Sequence, residues 1–106
     1  MTARDTLSAD DVEAAGIPDW RLLDGALHAH FATGDFATGL ALVNRIGALA
    51  EEANHHPDVD LRYPYVKVTT VSHDVSGITS RDVDLAKQTS AAAQDLGVTA
   101  DPSQLG

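Results

Sequence analysis

The sequence contains no cysteine, few basic residues and few aromatic ones, and each shortage narrows what the protein can do. Without cysteine, this chain of 106 residues cannot form disulfides, thiolate nucleophiles, iron–sulfur clusters or cysteine-bound zinc sites. Seven lysines and arginines against 16 aspartates and glutamates give a formal charge of −9, which disfavours binding to nucleic acid or to anionic membranes. The chemistry must therefore come from histidines, carboxylates or hydroxyls.

Long hydrophobic runs are also missing. The longest strongly apolar run is Leu40 to Val43, whereas a helix needs roughly 20 such residues to span a bilayer. The first residues lack the apolar core of a signal peptide, so we expect a cytoplasmic protein. With 43% hydrophobic residues, the chain is expected to form a single domain over residues 1–106, with loose order at about 1–6 and 98–106.

Capping and turn residues mark the first elements. Ser8 is expected to cap a short helix near the N-terminus. Asp24 and Gly25 suit the positive φ angles of a tight turn, which predicts a hairpin between strands at 20–23 and 26–33.

Two of the five histidines lie in the second of these strands. His28 and His30 alternate with Leu27, Ala29 and Phe31, so the histidines share one face of the strand and the apolar residues share the other. A solvated sheet face is sufficient to explain this pair.

A long helix is predicted to follow. Asp35 can cap its start, and the helix must end near residues 55–56 because the residue before Pro57 is pushed out of the helical region. One broad apolar stripe is expected to face the sheet. The stripe consists of Phe36, Leu40, Val43, Ile46, Ala50 and Ala53.

The second half of the chain repeats the same order of elements. Residues 59–63 and 65–72 favour strands, and Thr79 and Asp82 form the capping box of a last helix that ends before Gly97. The order is a short helix followed by β-β-α-β-β-α. It predicts a two-layer α+β fold with a four-stranded, mainly antiparallel sheet and the helices on one face. The uncovered sheet face and short edges favour a homo-oligomer.

The strongest chemical signal is a carboxylate and three histidines close together in sequence. Glu51 and His55 are four residues apart, so we expect them in contact on one helical face, with His56 beside them and His73 at a strand end. The helix dipole and the carboxylate both favour imidazolium, whereas burial opposes it. Histidines balanced in this way suit general acid–base catalysis.

Other interpretations of these residues stay open. The Glu51–His55 pair can be a stabilising contact at a helix end, and Asp82 can serve only its capping box. Three histidines and a carboxylate can also bind zinc, although helical neighbours such as His55 and His56 would project about 100° apart, which disfavours a shared ion.

The full set of motifs resembles the pterin-4a-carbinolamine dehydratases, also called 4a-hydroxytetrahydrobiopterin dehydratases. The similarity runs from about residue 50 to 86, with His30-Phe31 and Asp35-Phe36 upstream. Its motifs are Glu51-x-x-x-His55-His56-Pro57, Tyr63, Val66, the strand end Thr69 to His73, Gly77, and Arg81-Asp82-x-x-Leu85-Ala86.

The resemblance implies dehydration of 4a-hydroxytetrahydropterin to quinonoid dihydropterin, with no cofactor and no metal. It implies that His55, His56 and His73 are catalytic, with His55 and His73 nearest the proton transfers and His56 mainly holding the pterin. Glu51 and Asp82 would support them. Residues lining the pterin would be Asn54, His55, His56, Val71, Ser72, His73 and Asp74.

Two positions depart from the family's usual pattern. Val59 stands where tryptophan is common, and Pro64 follows Tyr63 where asparagine is usual. Loss of an aromatic wall would weaken pterin stacking. The alternative is therefore a noncatalytic pterin-binding or protein-interaction module of the same fold. The expected partners are a pterin and further copies of the chain, as a homodimer or homotetramer, with neither nucleic acid nor a membrane contacted directly.

Overall fold

The computed structural model describes residues 5–105, so the loose order expected at 1–6 falls mostly on residues outside the described range. The helices and strands lie in this order: α1 (Ala9–Ala14), β1 (Trp20–Leu23), β2 (Ala26–Ala32), α2 (Phe36–Ala53), β3 (Asp58–Leu61), β4 (Tyr65–Thr70), α3 (Ser80–Asp95) and β5 (Thr99–Ala100). A short 3-10 helix, Pro102–Leu105, follows β5.

The sheet confirms the predicted α+β fold. Its strand order is β1-β2-β4-β3, and every neighbouring pair is antiparallel. Alternate side chains on β2 and β4 are fully buried against the helices, among them Phe31 and Val66, whereas His28 and Lys67 on the other face stay partly exposed. A short fifth strand, β5, pairs with the end of β2 and was not predicted.

Local sequence signals explain the first elements. Ser8 caps α1 through a capping box with Asp11, whose backbone N–H donates to the Ser8 hydroxyl at 3.1 Å. Asp24 and Gly25 have φ angles of 52° and 79°, as the tight turn of a β1–β2 hairpin requires. The predicted hairpin is therefore confirmed.

The predicted apolar stripe of α2 is wrong at both ends, since Ala53 at its end is exposed as well as two residues at its start. Phe36 and Leu40 are 47% and 45% exposed. The residues of α2 that are buried are Gly39, Leu42, Ile46 and Ala50. Small or apolar residues occupy two sides of this helix, so the helical period alone did not decide which side faces the sheet.

The two glycines of α2 give a matched test of this orientation. A Cβ on Gly39 would lie 2.7 Å from Leu61 Cδ1, whereas a Cβ on Gly47 would meet no atom within 4 Å. We expect Gly39→Ala to stabilise the fold less than Gly47→Ala does, or to destabilise it, because the Leu61 side chain must move and the overpacking offsets the gain in helix propensity. Gly47→Ala should raise the free energy of unfolding by about 1 kcal/mol through helix propensity. Urea denaturation measures both free energies of unfolding, and an equal or larger gain in Gly39→Ala would contradict the observed packing.

Candidate functional site

The end of α2 places two histidines outside the helix. Asn54 caps the helix in the left-handed region, with φ 50° and ψ 43°, and the backbone N–H of His55 donates to Ala50 O at 3.1 Å. The helix therefore ends close to where Pro57 predicted. His55 and His56 lie in the short segment between α2 and β3, outside any helix or strand.

The left-handed turn gives the two histidines different carboxylate partners. His55 Nε2 lies 2.6 Å from Asp82 Oδ1, and His56 Nε2 donates to Glu51. The predicted contact between Glu51 and His55 is therefore wrong, because the chain leaves the helix before His55 and its ring no longer lies above Glu51. The His55 side chain is 10% exposed and Asp82 is fully buried, whereas His56 and Glu51 are exposed.

Asp82 is the centre of a buried hydrogen-bond network. Its Oδ1 accepts from His55 and from the Thr70 hydroxyl at 2.6 Å, and its Oδ2 accepts from the Ser72 hydroxyl at 2.7 Å and from the Thr79 backbone N–H at 3.0 Å. An ionised carboxylate has about four acceptor positions, so these four donors fill them. The predicted capping box with Thr79 is confirmed, and the same carboxylate also holds His55.

The network determines which His55 nitrogen is available for chemistry. Because the ionised Asp82 carboxylate can only accept hydrogen bonds, we assign a proton to His55 Nε2, which donates to Oδ1. Nδ1 then carries the lone pair and can accept a proton. The buried carboxylate fixes the orientation of the His55 ring.

The same contacts change the acidity of Asp82. Burial raises the pKa of Asp82, but the hydrogen bonds from His55, Thr70, Ser72 and Thr79 outweigh it, so the pKa lies below its ordinary value of 3.8. A group with a lowered folded-state pKa adds stability that is fully present above its unfolded pKa. That stability is lost as the pH falls through the folded pKa.

Stability should therefore fall on acidification below about pH 4. We expect the difference in free energy of unfolding between the wild type and Asp82→Asn to shrink as the pH falls from about 4 towards 2. Urea denaturation at a series of pH values measures this difference. Parallel curves down to about pH 2 would show that Asp82 does not carry the effect.

His73 lies in an exposed turn between β4 and α3. The turn is closed by an isolated bridge between Ser72 and Gly77, in which the Ser72 N–H donates to Gly77 O at 2.9 Å and the Gly77 N–H donates back at 3.3 Å. Ser72 therefore uses its own hydroxyl for Asp82 and its own backbone groups for the turn. Asp82 therefore accepts hydrogen bonds from both His55 and Ser72, the residue before His73.

The remaining two histidines lie away from this network, on the uncovered sheet face. His28 Nε2 donates to Leu23 O at 3.1 Å, and its Nδ1 lies 3.2 Å from the Thr69 hydroxyl. The ring of His30 packs against Tyr65 at a centroid distance of 4.5 Å. The expected sheet-face positions of both histidines are confirmed.

Within residues 5–105, no three His, Asp or Glu side chains are arranged to hold a metal ion. In the same residues, no helix is both long and apolar enough to cross a bilayer.

Thr70 was not identified from the sequence as a residue of the site, although the strand pattern contained a signal for it. It follows Val66 and Val68 at alternate positions on the buried face of β4, where a hydroxyl needs a polar partner.

The chain is similar to known proteins over most of its length. A family model described as pterin 4 alpha carbinolamine dehydratase matches residues 5–92. A provisionally named pterin-4-alpha-carbinolamine dehydratase from Thermosynechococcus vestitus is 43% identical over 83 residues, which are 76% of this chain and 87% of that protein. One from Mycolicibacterium smegmatis, also provisionally named, is 37% identical over 91 residues, which are 84% and 97% of the two chains.

Solved structures show the same fold. A Brucella melitensis protein described as a transcriptional coactivator/pterin dehydratase superimposes with a TM-score of 0.79 at 27% identity, covering 84% of this chain and 99% of that one. A pterin dehydratase-like protein described as a RuBisCO assembly factor in the alpha-carboxysome gives a TM-score of 0.62 at 26% identity, with coverage of 71% and 89%.

Proposed function

The chain belongs to the pterin-4-alpha-carbinolamine dehydratase family, and from this premise we propose that it removes water from 4a-hydroxytetrahydropterin to give the quinonoid dihydropterin. The observation that carries the proposal is the buried contact between Asp82 and His55, 2.6 Å long. It presents an oriented imidazole whose free nitrogen can exchange a proton. The proposed location is the cytoplasm.

The reaction needs two proton transfers. One proton is delivered to the hydroxyl on C4a, which leaves as water with the electron pair of the C–O bond. Another is removed from a ring nitrogen, whose electron pair forms the new double bond. We assign the removal of the proton from the ring nitrogen to His55 Nδ1, because Asp82 stabilises the resulting imidazolium. We assign delivery to His73, whose exposed position lets solvent restore its proton.

Residues around the histidines would hold the pterin. His56 would contact the substrate, with Glu51 orienting the ring through their hydrogen bond. Asn54 lies exposed at the end of α2 beside them. Since the backbone of Ser72 is used within its own turn, pairing with the amide edge of the pterin would fall to Val71, His73 and Asp74.

Stopped-flow breakdown of synthetic 4a-hydroxytetrahydropterin tests this function directly. We expect substoichiometric wild-type protein to accelerate the reaction saturably, with the same rate in the presence of EDTA. The control is the triple variant His55→Ala, His56→Ala, His73→Ala, which should match the spontaneous rate. A wild type no faster than the triple variant would end the proposal.

The outer face of α2 supports a homo-oligomer as part of this proposal. Phe36 and Leu40 are nearly half exposed there, and the rest of the face is small or uncharged for two further turns, to Ala48. A second copy of the same helix would cover such a surface, because small residues allow close approach of two helices.

Introducing a charge on this face tests the assembly. We expect Leu40→Glu to convert the oligomer to a smaller species, because a buried unpaired carboxylate opposes association. Gln88→Glu is the control, since it adds the same charge at an exposed position of α3. Light scattering during gel filtration measures the mass. A wild type that runs as a monomer would remove the proposal of self-association.

A second candidate function is a noncatalytic interaction module. It is favoured by the structural neighbour described as a RuBisCO assembly factor and by Val59 and Pro64, which depart from the family's usual pattern. In that case the His73→Ala variant would retain a protein partner as well as the wild type does. Pterin turnover that depends on His73 would favour the dehydratase. The charge of −9 argues against direct binding to nucleic acid under either function.

A further inference from the structure

His73 is exposed, yet both of its neighbours in the chain are held to the beginning of α3. On one side, the buried Ser72 hydroxyl donates to Asp82 and lies 2.9 Å from the Thr79 hydroxyl. On the other side, Asp74 accepts from Arg81 Nη2 at 2.8 Å. An imidazole that would otherwise move with a surface turn is thus anchored through the residues on either side of it.

Arg81 connects the two anchors. Its Nε donates to the Thr79 hydroxyl oxygen at 3.2 Å, and its Nη2 donates to Asp74. The one guanidinium therefore contacts both the residue that caps α3 and the residue that follows His73. The Ser72 hydroxyl gives its only proton to Asp82, so the Thr79 hydroxyl donates to Ser72 and accepts from Arg81. The chain of contacts from Arg81 to Asp82 is continuous.

We propose that Arg81 is a positioning residue that holds the Ser72–Gly77 turn through Asp74 and thereby fixes His73 relative to the His55–Asp82 pair. The proposal rests on the proposed dehydratase function for its consequence in catalysis, but the anchoring of the turn is independent of it. A planar guanidinium with several donors makes two such contacts at once, which the single ammonium of lysine does not. Small misplacements of a reacting group are known to cost large factors in rate.

A double-mutant cycle with His73 tests the positioning role. We expect Arg81→Ala to lower kcat on the order of tenfold to a hundredfold with a smaller change in KM, because the reacting group is displaced. In a His73→Ala background the same substitution should cause no further loss of kcat. Arg81→Lys should recover part of the rate, and Asp74→Asn should reproduce part of the loss.

Backbone relaxation measured by NMR separates this inference from the function. Arg81→Ala should lower the order parameters of residues 73–76, whether or not the protein turns over a pterin. The control is Arg45→Ala, which removes an exposed ion pair to Asp95 elsewhere on the surface. It should change neither kcat nor the order parameters of residues 73–76. The inference is overturned by an unchanged turn in Arg81→Ala. It is also overturned by equal losses of kcat with and without His73. A wild type without turnover would instead end the proposed function and leave the relaxation data to decide the anchoring.

Discussion

Asp82→Asn is expected to remove most of the activity and a large part of the stability at once. The carboxamide has one acceptor oxygen with two lone pairs and brings two donors of its own, so it cannot satisfy the four donors that surround Asp82. At least two buried groups lose their partners. We expect a fall of about 3–5 kcal/mol in the free energy of unfolding and of about 10²–10⁴ in kcat.

Variants of the individual donors show whether the network causes this loss. Thr70→Val keeps the shape of the side chain and removes one donor, and we expect a cost of about 1–2 kcal/mol with activity largely retained. Urea denaturation and stopped-flow kinetics on the folded fraction measure the two effects separately. Full activity in folded Asp82→Asn would show that the carboxylate does not orient His55 for catalysis.

His55→Ala should lose kcat by about 10²–10⁴ while the protein stays folded. The substitution removes the imidazole that we assign as proton acceptor and leaves Asp82 with three of its four donors. The cost in stability is therefore expected to be smaller than for Asp82→Asn. Circular dichroism and single-turnover kinetics measure the two quantities.

His28→Ala provides a matched control for His55→Ala. His28 is also a partly buried histidine with two polar contacts, but they are to Leu23 and Thr69 on the uncovered sheet face. We expect its rate to stay within about twofold of the wild type, since it lies outside the network. Equal losses in the two variants would indicate that activity follows general stability rather than a proton transfer at His55.

Local rules predicted most of the fold because its boundaries depend on residues close in sequence. Ser8, Asp35 and Thr79 cap the three helices as expected, and Asp24 with Gly25 makes the hairpin turn. The rotation of α2 was not predictable in the same way. It depends on Leu61 reaching the backbone at Gly39, a contact between residues far apart in sequence.

The site shows the same division between local and distant contacts. The histidines could be found from their spacing near Pro57, but the partner of His55 lies 27 residues away on another helix. A spacing of four residues favoured Glu51, and this preference failed because Asn54 turns the chain out of the helix. Only the packing of α3 against α2 and the sheet brings Asp82 under His55.

The Asp82 carboxylate caps the first turn of α3 and also accepts a hydrogen bond from His55. Any function of His55 therefore depends on the integrity of this one helix end. If the first turn of α3 frays, Thr79 and Asp82 separate and His55 loses its support in the same event. Because Thr79 and Asp82 are both fully buried, this turn should open only together with the core on heating. Any activity that depends on His55 should therefore be lost in step with the folded fraction, so a thermal melt of the fold would also report the heat limit of that activity.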